Sequence, residues 1–270
     1  MIIIGEKING AVPRVAEAIA RRDEAFIRGL AVRQAQCGAS YIDVCAGTSP
    51  DVERETLEWL MGVVQDAVDV PLSIDSADPK VIVDMLPRAK RPGIINSASD
   101  EGGKCEIIFP AAAGSEWNII CLTCDNAGLP TDPGVKRDIA RTVVGKAAAW
   151  GIPAERLFID PLVSSIANVA QSLTGFVEAL RGIKAEFSDI RISSGLSNVS
   201  FGMPLRKYIN QTFLVLAMGA GMDCAIMDPT LPEMRTSLYA AEMLLGRDEY
   251  CAEFLGAYRE GVIGQPPKAG

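Results

Sequence analysis

The sequence predicts a single (β/α)8 barrel, and three observations carry that reading. Short, apolar, β-branched runs recur eight times along the chain. Longer segments of helical period lie between them, the alternation expected of βαβ units on a parallel sheet. The 270 residues are also close to the length of one such barrel, typically ~250 residues. No low-complexity linker interrupts the pattern, so one domain over residues 1–263 is expected, with Gly264–Gly270 as a flexible tail.

The expected strands, in order, are Ile2–Ile4, Tyr41–Cys45, Leu72–Ile74, Gly93–Ile95, Trp117–Leu122, Leu157–Ile159, Ile190–Leu196 and Asp223–Met227. Amphipathic stretches between them include Asp23–Gln36, Val52–Val68, Val135–Trp150, Leu205–Met218 and Leu231–Leu245. Ser49-Pro50-Asp51 and Asp78-Pro79 read as helix starts, with Pro or an acid in the first turn. Gly38 and Gly151 follow helical stretches, where a residue of positive φ is wanted.

Composition narrows the function. A net charge of −8 and a pI near 4.8 argue against a nucleic-acid surface or an anionic membrane surface, either of which calls for a basic stripe. No apolar run approaches the ~20 residues that span a bilayer, and the N-terminal MIIIGEKING lacks the basic and apolar regions of a signal peptide. The cytoplasm is therefore expected. Seven cysteines, an odd number in a chain of this size, do not suggest a secreted disulfide framework. Cys121 and Cys124 form a C-x-x-C, but small buried strand residues are the preferred reading over a metal or redox site. The chain has no histidine, which excludes a Ser-His-Asp triad, a His-bound metal and a histidine acid or base.

The strand ends carry the chemistry. Glu6 and Asn9 follow the first strand, Asp43 lies near the end of the second, and Asp75, Asn96 and Asp160 end the third, fourth and sixth. Asn198 closes the seventh and Asp228 the eighth. In a barrel these positions converge on the C-terminal mouth, where active sites are built. Any one of them can instead cap a helix or make a turn; seven ends drawn from Asp and Asn are harder to explain that way.

A mouth rich in acceptors and carboxamides and poor in cations is unsuited to phosphate. It suits a flat heterocycle with an amidine edge. A pterin offers an exocyclic amine and a neighbouring N–H to one carboxylate as a bidentate pair, and asparagine supplies the mixed donors and acceptors its other atoms need. Asp75, Asn96 and Asp160 are groups of the right kind on nearby strands.

The segments IIGEKING, YIDVCAG, LSIDS, IINS, LFIDPLV and GLSNVSFGMPLRKYINQTFL, with the final acidic-aliphatic helix, occur in this order over roughly Ile3 to Cys251. Together they resemble the methyltetrahydrofolate:corrinoid methyltransferases, the pterin-binding barrel family that includes the folate domain of cobalamin-dependent methionine synthase. The resemblance implies that Asp75, Asn96 and Asp160 hold the pterin ring and that Asn198 approaches its N5. It implies a supporting role for Asp43 and a contact on the folate side for Arg206. It further implies methyl transfer between a protein-bound corrinoid (methylcobalamin or cob(I)alamin) and N5 of tetrahydrofolate, within a multi-component one-carbon pathway. The corrinoid would arrive on a partner protein, the enzyme would hold no metal of its own, and a homodimer is expected. Two positions depart from the family: Cys45 where Asn is frequent, and Phe201 where Gln is frequent.

Three rivals stand beside this reading. A dihydropteroate synthase-like enzyme should carry a phosphate-binding Asn/Arg/His set and a serine-rich second loop ending in Arg, where this chain has AGTSPD. A non-catalytic folate-binding subunit would not need the Asn198 turn. A zinc-dependent corrinoid methyltransferase would ordinarily need histidine.

Overall fold

The computed structural model describes residues 1–264. Eight parallel strands close into one barrel in chain order. They are β1 (Ile2–Asn9), β2 (Tyr41–Cys45), β3 (Leu72–Asp75), β4 (Ile94–Ser99), β5 (Asn118–Leu122), β6 (Leu157–Asp160), β7 (Arg191–Gly195) and β8 (Cys224–Met227). The helices around them are α1 (Pro13–Ala20), α2 (Glu24–Gln36), α3 (Pro50–Ala67), α4 (Pro79–Met85) and α5 (Lys104–Ala112). They continue with α6 (Pro133–Ala149), α7 (Ser172–Glu186), α8 (Arg206–Ala220), α9 (Pro232–Leu244) and α10 (Ala252–Arg259). Of the expected tail Gly264–Gly270, residues 265–270 lie outside the described residues. None of the described helices is long and apolar enough to cross a membrane.

All eight expected strands are present, and the largest differences fall at two upper ends. β1 continues from Ile4 to Asn9 and β4 from Ile95 to Ser99. Each carries a register irregularity on the way, between Gly5 and Ile8 in β1 and between Asn96 and Ala98 in β4. The sequence places the end of each run at its first polar residues. In the barrel pairing resumes beyond those residues, at Ile8 in β1 and at Ala98 in β4, because bulges at the rim turn polar side chains toward the mouth without ending the ladder.

The helix punctuation follows its local chemistry. Pro50 and Pro79 sit in first turns, and the Asp78 carboxylate accepts the Lys80 N–H at 2.9 Å as an N-cap. Gly38 and Gly151 adopt φ of 86° and 70°, conformations that cost a Cβ-bearing residue more.

Two apolar layers hold the barrel. The outer layer packs strands against helices and includes Phe109 and the edge-to-face pair Phe176–Phe213, with ring centroids 5.3 Å apart. Inside the barrel, Ile4, Ile94, Ile120, Phe158 and Cys224 form an apolar plug, flanked by Ile2, Tyr41, Leu122 and Ile226. Side chains two residues apart on a strand share a face. The position above Ile4 is thus Glu6, above Tyr41 is Asp43, above Ile94 is Asn96 and above Phe158 is Asp160. This alternation sets the site directly on the plug.

Candidate active site at the barrel mouth

A cavity of about 650 Å³ opens at the C-terminal end of the strands, within the range usual for small-molecule sites. Glu6, Asn9, Asp43, Asp75, Asn96, Gly195, Ser197, Asn198 and Arg206 are among its lining residues. Strand register places Cys45, Asp75 and Asn96 side by side across β2, β3 and β4. Behind them Asp43 is buried and accepts from the Ser73 hydroxyl at 2.6 Å and from Asn96 Nδ2 at 3.1 Å. The second of these bonds orients the Asn96 carboxamide, leaving its oxygen for another donor.

Burial dominates the electrostatics of this wall. It pushes Asp43 well above the ordinary carboxylate range, helped by the neighbouring charge of Asp75 and opposed by the Ser73 and Asn96 bonds. It pushes Asp75 up to about 6, against the stabilising bond from Cys45 and with the charge of Glu53 adding to the rise. The Cys45 thiol is itself driven upward by burial and then by Asp75 and Asp43, so at neutral pH it stays a protonated donor. The chain thus places a thiol donor at the position where the family resemblance led to Asn.

Asp160 ends β6 but does not line the main cavity. It is buried, accepts the Leu162 N–H at 2.8 Å, and is raised to about 6 by burial against backbone bonds from Leu162 and Gly195. Asn198 lies on the 3-10 turn Leu196–Ser200 after β7, exposed on the cavity wall. Its Nδ2 stands 3.1 Å from where a Cβ on Gly195 would be, so glycine at 195 leaves room for the carboxamide. Arg206, the first residue of α8, braces that turn by donating to the Ser197 carbonyl at 2.7 Å and the Ser200 hydroxyl at 3.0 Å.

Glu6 had no assigned role in the sequence. It lines the cavity, accepts from the Ser197 hydroxyl at 3.0 Å beside Asn198, and is raised to about 7 by burial. The Ser197 bond opposes that rise and the charge of Asp228 adds to it. Its signal was the conjunction of an acid after an apolar run with the inward parity set by Ile2 and Ile4. Asp228 takes the plainer of its two roles: it accepts from the Thr230 N–H and hydroxyl at 2.9 and 2.6 Å and pairs with Lys7 at 2.9 Å.

The expectation of a mouth poor in cations is corrected. Lys7, Arg14, Arg33 and Arg206 all line the cavity. They escaped a reading of strand ends because Lys7 sits in the β1 bulge while Arg14, Arg33 and Arg206 belong to α1, α2 and α8. Among the described residues, no three of His, Cys, Asp and Glu are grouped to hold a metal ion. Cys121 and Cys124 are buried free thiols.

Comparison with known proteins bears on this arrangement. Residues 15–228 match the family described as pterin binding enzyme. The chain is 46% identical over 266 residues, 98% of each protein, to a methylcorrinoid:tetrahydrofolate methyltransferase of Eubacterium limosum. It is 25% identical over 240 residues to methionine synthase of Mycobacterium tuberculosis, a match covering 84% of this chain and 20% of that protein. Among solved structures, dihydropteroate synthase of Xanthomonas albilineans with 4-aminobenzoic acid superposes with a TM-score of 0.65 over 92% of each chain at 17% identity. The likeness to that synthase is one of fold.

Proposed function

The chain belongs to the pterin-binding enzymes and, within them, to the family of the methylcorrinoid:tetrahydrofolate methyltransferase, and from this premise we propose how its mouth works. The protein is a methyltransferase acting between a methylated corrinoid and tetrahydrofolate. The corrinoid comes from a partner, and tetrahydrofolate is the small-molecule substrate. The observation that carries the site assignment is the row Cys45–Asp75–Asn96 above an apolar plug, backed by Asp43, with Asp75, Asn96 and Asn198 lining one cavity.

In our reading Asp75 accepts the amidine edge of the pterin as a charge-assisted pair, and Asn96, oriented by Asp43, bonds the ring's remaining polar edge. Asp160 stands in the inward layer above Phe158, bonded to the Leu162 N–H, and rotation of its carboxyl away from Leu162 would bring a second acceptor to the ring. Asn198 bonds N5, and Arg206 acts mainly by holding the turn that carries it.

The direction we assign is from corrinoid to folate. The N5 lone pair attacks the methyl in line, the cobalt–carbon pair returns to cobalt as Co(I), and N5 then gives up its proton. Pre-alignment of N5 and methyl is the main catalytic requirement. The departing proton needs an acceptor. Glu6, raised to about 7 and bonded to Ser197 beside Asn198, is the carboxyl matched to that task near neutral pH. In the reverse direction the same carboxyl, protonated, assists N5 as it leaves.

We place the protein in the cytoplasm as a single domain over residues 1–263, and as a homodimer. The dimer assignment is supported by an apolar groove between α8 and the segment entering α7, lined by Ile166, Leu173, Tyr208, Ile209, Phe213 and Leu216, with Tyr208 and Leu216 about half exposed.

Incubation with methylcobalamin and tetrahydrofolate tests the activity. The corrinoid spectrum should shift from the methylated to the Co(I) form in step with appearance of N5-methyltetrahydrofolate. Loss of the methylated spectrum without methylated folate would overturn the proposal.

A further inference from the structure

The cavity is larger than a two-ring heterocycle needs, and its two ends differ in kind. Toward β2–β4 it is lined by Asp43, Asp75 and Asn96; toward α1 and α2 by Val12, Val15, Phe26, Leu30, Arg14 and Arg33. Phe26, Leu30 and Arg33 recur at helical spacing on one face of α2. Gly29 lies on the same side, and Arg33 Nη1 stands 3.5 Å from where its Cβ would be. The Arg14 guanidinium lies 5.3 Å from the centroid of the Phe26 ring, within cation–π range.

The cations lining the cavity divide by partner. Lys7 is paired with Asp228, and Arg206 is bonded to the Ser197 carbonyl and the Ser200 hydroxyl. Arg14 and Arg33 enter neither an ion pair nor a side-chain hydrogen bond among the described residues; the paired arginines are others, such as Arg22, Arg54 and Arg141. Two uncommitted guanidinium groups therefore edge a shelf of Phe26, Leu30, Val12 and Val15, in one continuous cavity with the acidic end.

We propose that this shelf is the subsite for the tail of the folate: the aminobenzoyl ring lies on Phe26 and Leu30, and the glutamyl carboxylates pair with Arg14 and Arg33. The inference rests on the pterin reading of the acidic end and extends it to substrate choice. An apolar ring followed by carboxylates matches an apolar wall followed by cations, and each further γ-linked glutamate adds an anion. Arg–carboxylate pairing is geometrically favoured because the guanidinium can bond bidentately. The enzyme should therefore select oligoglutamyl folates over the monoglutamate.

Calorimetric titration of the full protein with three probes tests this: 6-methyltetrahydropterin, tetrahydrofolate monoglutamate and tetrahydrofolate triglutamate. The wild-type protein should bind the triglutamate about tenfold more tightly than the monoglutamate, a factor expected of a few partly exposed charge pairs. That preference should weaken as salt is raised. In the Arg14→Gln/Arg33→Gln variant it should fall to within about twofold, while affinity for the tail-less pterin stays within about twofold of wild type. An undiminished triglutamate preference in the double variant would overturn the subsite, as would an equal loss for all three probes. The single variant Arg33→Glu, which puts an acid on the cavity-lining face of α2, should reverse the preference; unchanged selectivity there would also count against the proposal. A wild-type protein that binds none of the three would overturn the pterin reading itself, and the subsite with it.

Discussion

The lower and upper halves of the barrel interior are built on the same strands two residues apart, yet they do opposite things. Below, Ile4, Ile94, Ile120, Phe158 and Cys224 pack together as a buried apolar cluster. Above, Glu6, Asn96 and Asp160 take the next inward positions of β1, β4 and β6, and Asp43 stands above the plug's flanking Tyr41. The plug is ordinary stabilising burial. The layer above it buries carboxylates and raises Glu6 to about 7 and Asp75 and Asp160 to about 6. Each raised value means that the folded state holds the ionised group less favourably than water does. The difference shows how a barrel can separate rigidity from chemistry: the plug fixes backbone positions so firmly that costly groups can be held at the rim, ready for a ligand that relieves them.

The largest effect that tests this division belongs to the plug. Phe158→Ala removes a fully buried ring and should destabilise the protein by about 3–5 kcal/mol. The measurement is denaturant unfolding. A loss below about 1 kcal/mol would show that the inner layer is not what holds the barrel.

Next comes Asn198, on the turn above β7. If it bonds N5 as charge develops, Asn198→Ala should lower kcat by about 10²–10³, equivalent to ~2.7–4 kcal/mol, with folate affinity less affected. Both directions must slow by related factors, since the overall equilibrium constant is unchanged. If the residue only shapes its turn, thermal stability and folate affinity should fall together instead. A stable variant with wild-type rates in both directions removes Asn198 from the mechanism.

A smaller effect sharpens the comparison at Glu6. Its folded value of about 7 lies above the ordinary 4.5, so the folded state binds the proton more tightly. The stability this contributes is fully present below pH 4.5 and is lost as pH rises through about 7. Glu6→Gln should therefore be more stable than wild type by on the order of 1–3 kcal/mol at pH 8, with the gap closing toward pH 5. The same substitution should flatten the rise of methyl transfer to tetrahydrofolate through neutral pH. A gap in stability that does not change with pH, or an unaltered rate profile, would show that the carboxyl is neither held at a cost nor used as the proton acceptor.

The barrel itself was legible because its period is written in the chain: β-branched runs such as Tyr41–Cys45 and Asn118–Leu122 stand between longer helical segments. The mouth was legible where an Asp or Asn ended such a run and lined the cavity, as at Asp75. It was not legible where the strand continued past its polar residues. β1 runs through Glu6 and Lys7 because a bulge at the rim lets both side chains face the cavity region while pairing resumes at Ile8. Arg14, Phe26 and Arg33 were hidden for a different reason. They come from helices, and only the closure of β1 against β8 and the packing of α1 and α2 over β1 bring them to the same cavity as Asp75. Helical spacing identifies the face of α2 that Phe26, Leu30 and Arg33 share, but it cannot show that this face borders the mouth.

The most direct measurement of the central claim, that the acidic layer above the plug is the pterin site, is calorimetric binding of tetrahydrofolate to Asp75→Ala and Asp160→Ala, with folding of each verified by thermal melting. Loss of one charge-assisted pair should cost about 1.5–3 kcal/mol, or roughly tenfold to over a hundredfold in affinity. Because each substitution also removes a buried carboxylate, neither variant should be less stable than wild type by more than about 1 kcal/mol at neutral pH. Weakened binding in proteins that remain stable is the result expected of a layer built for the ligand. Wild-type affinity in both folded variants would contradict the account.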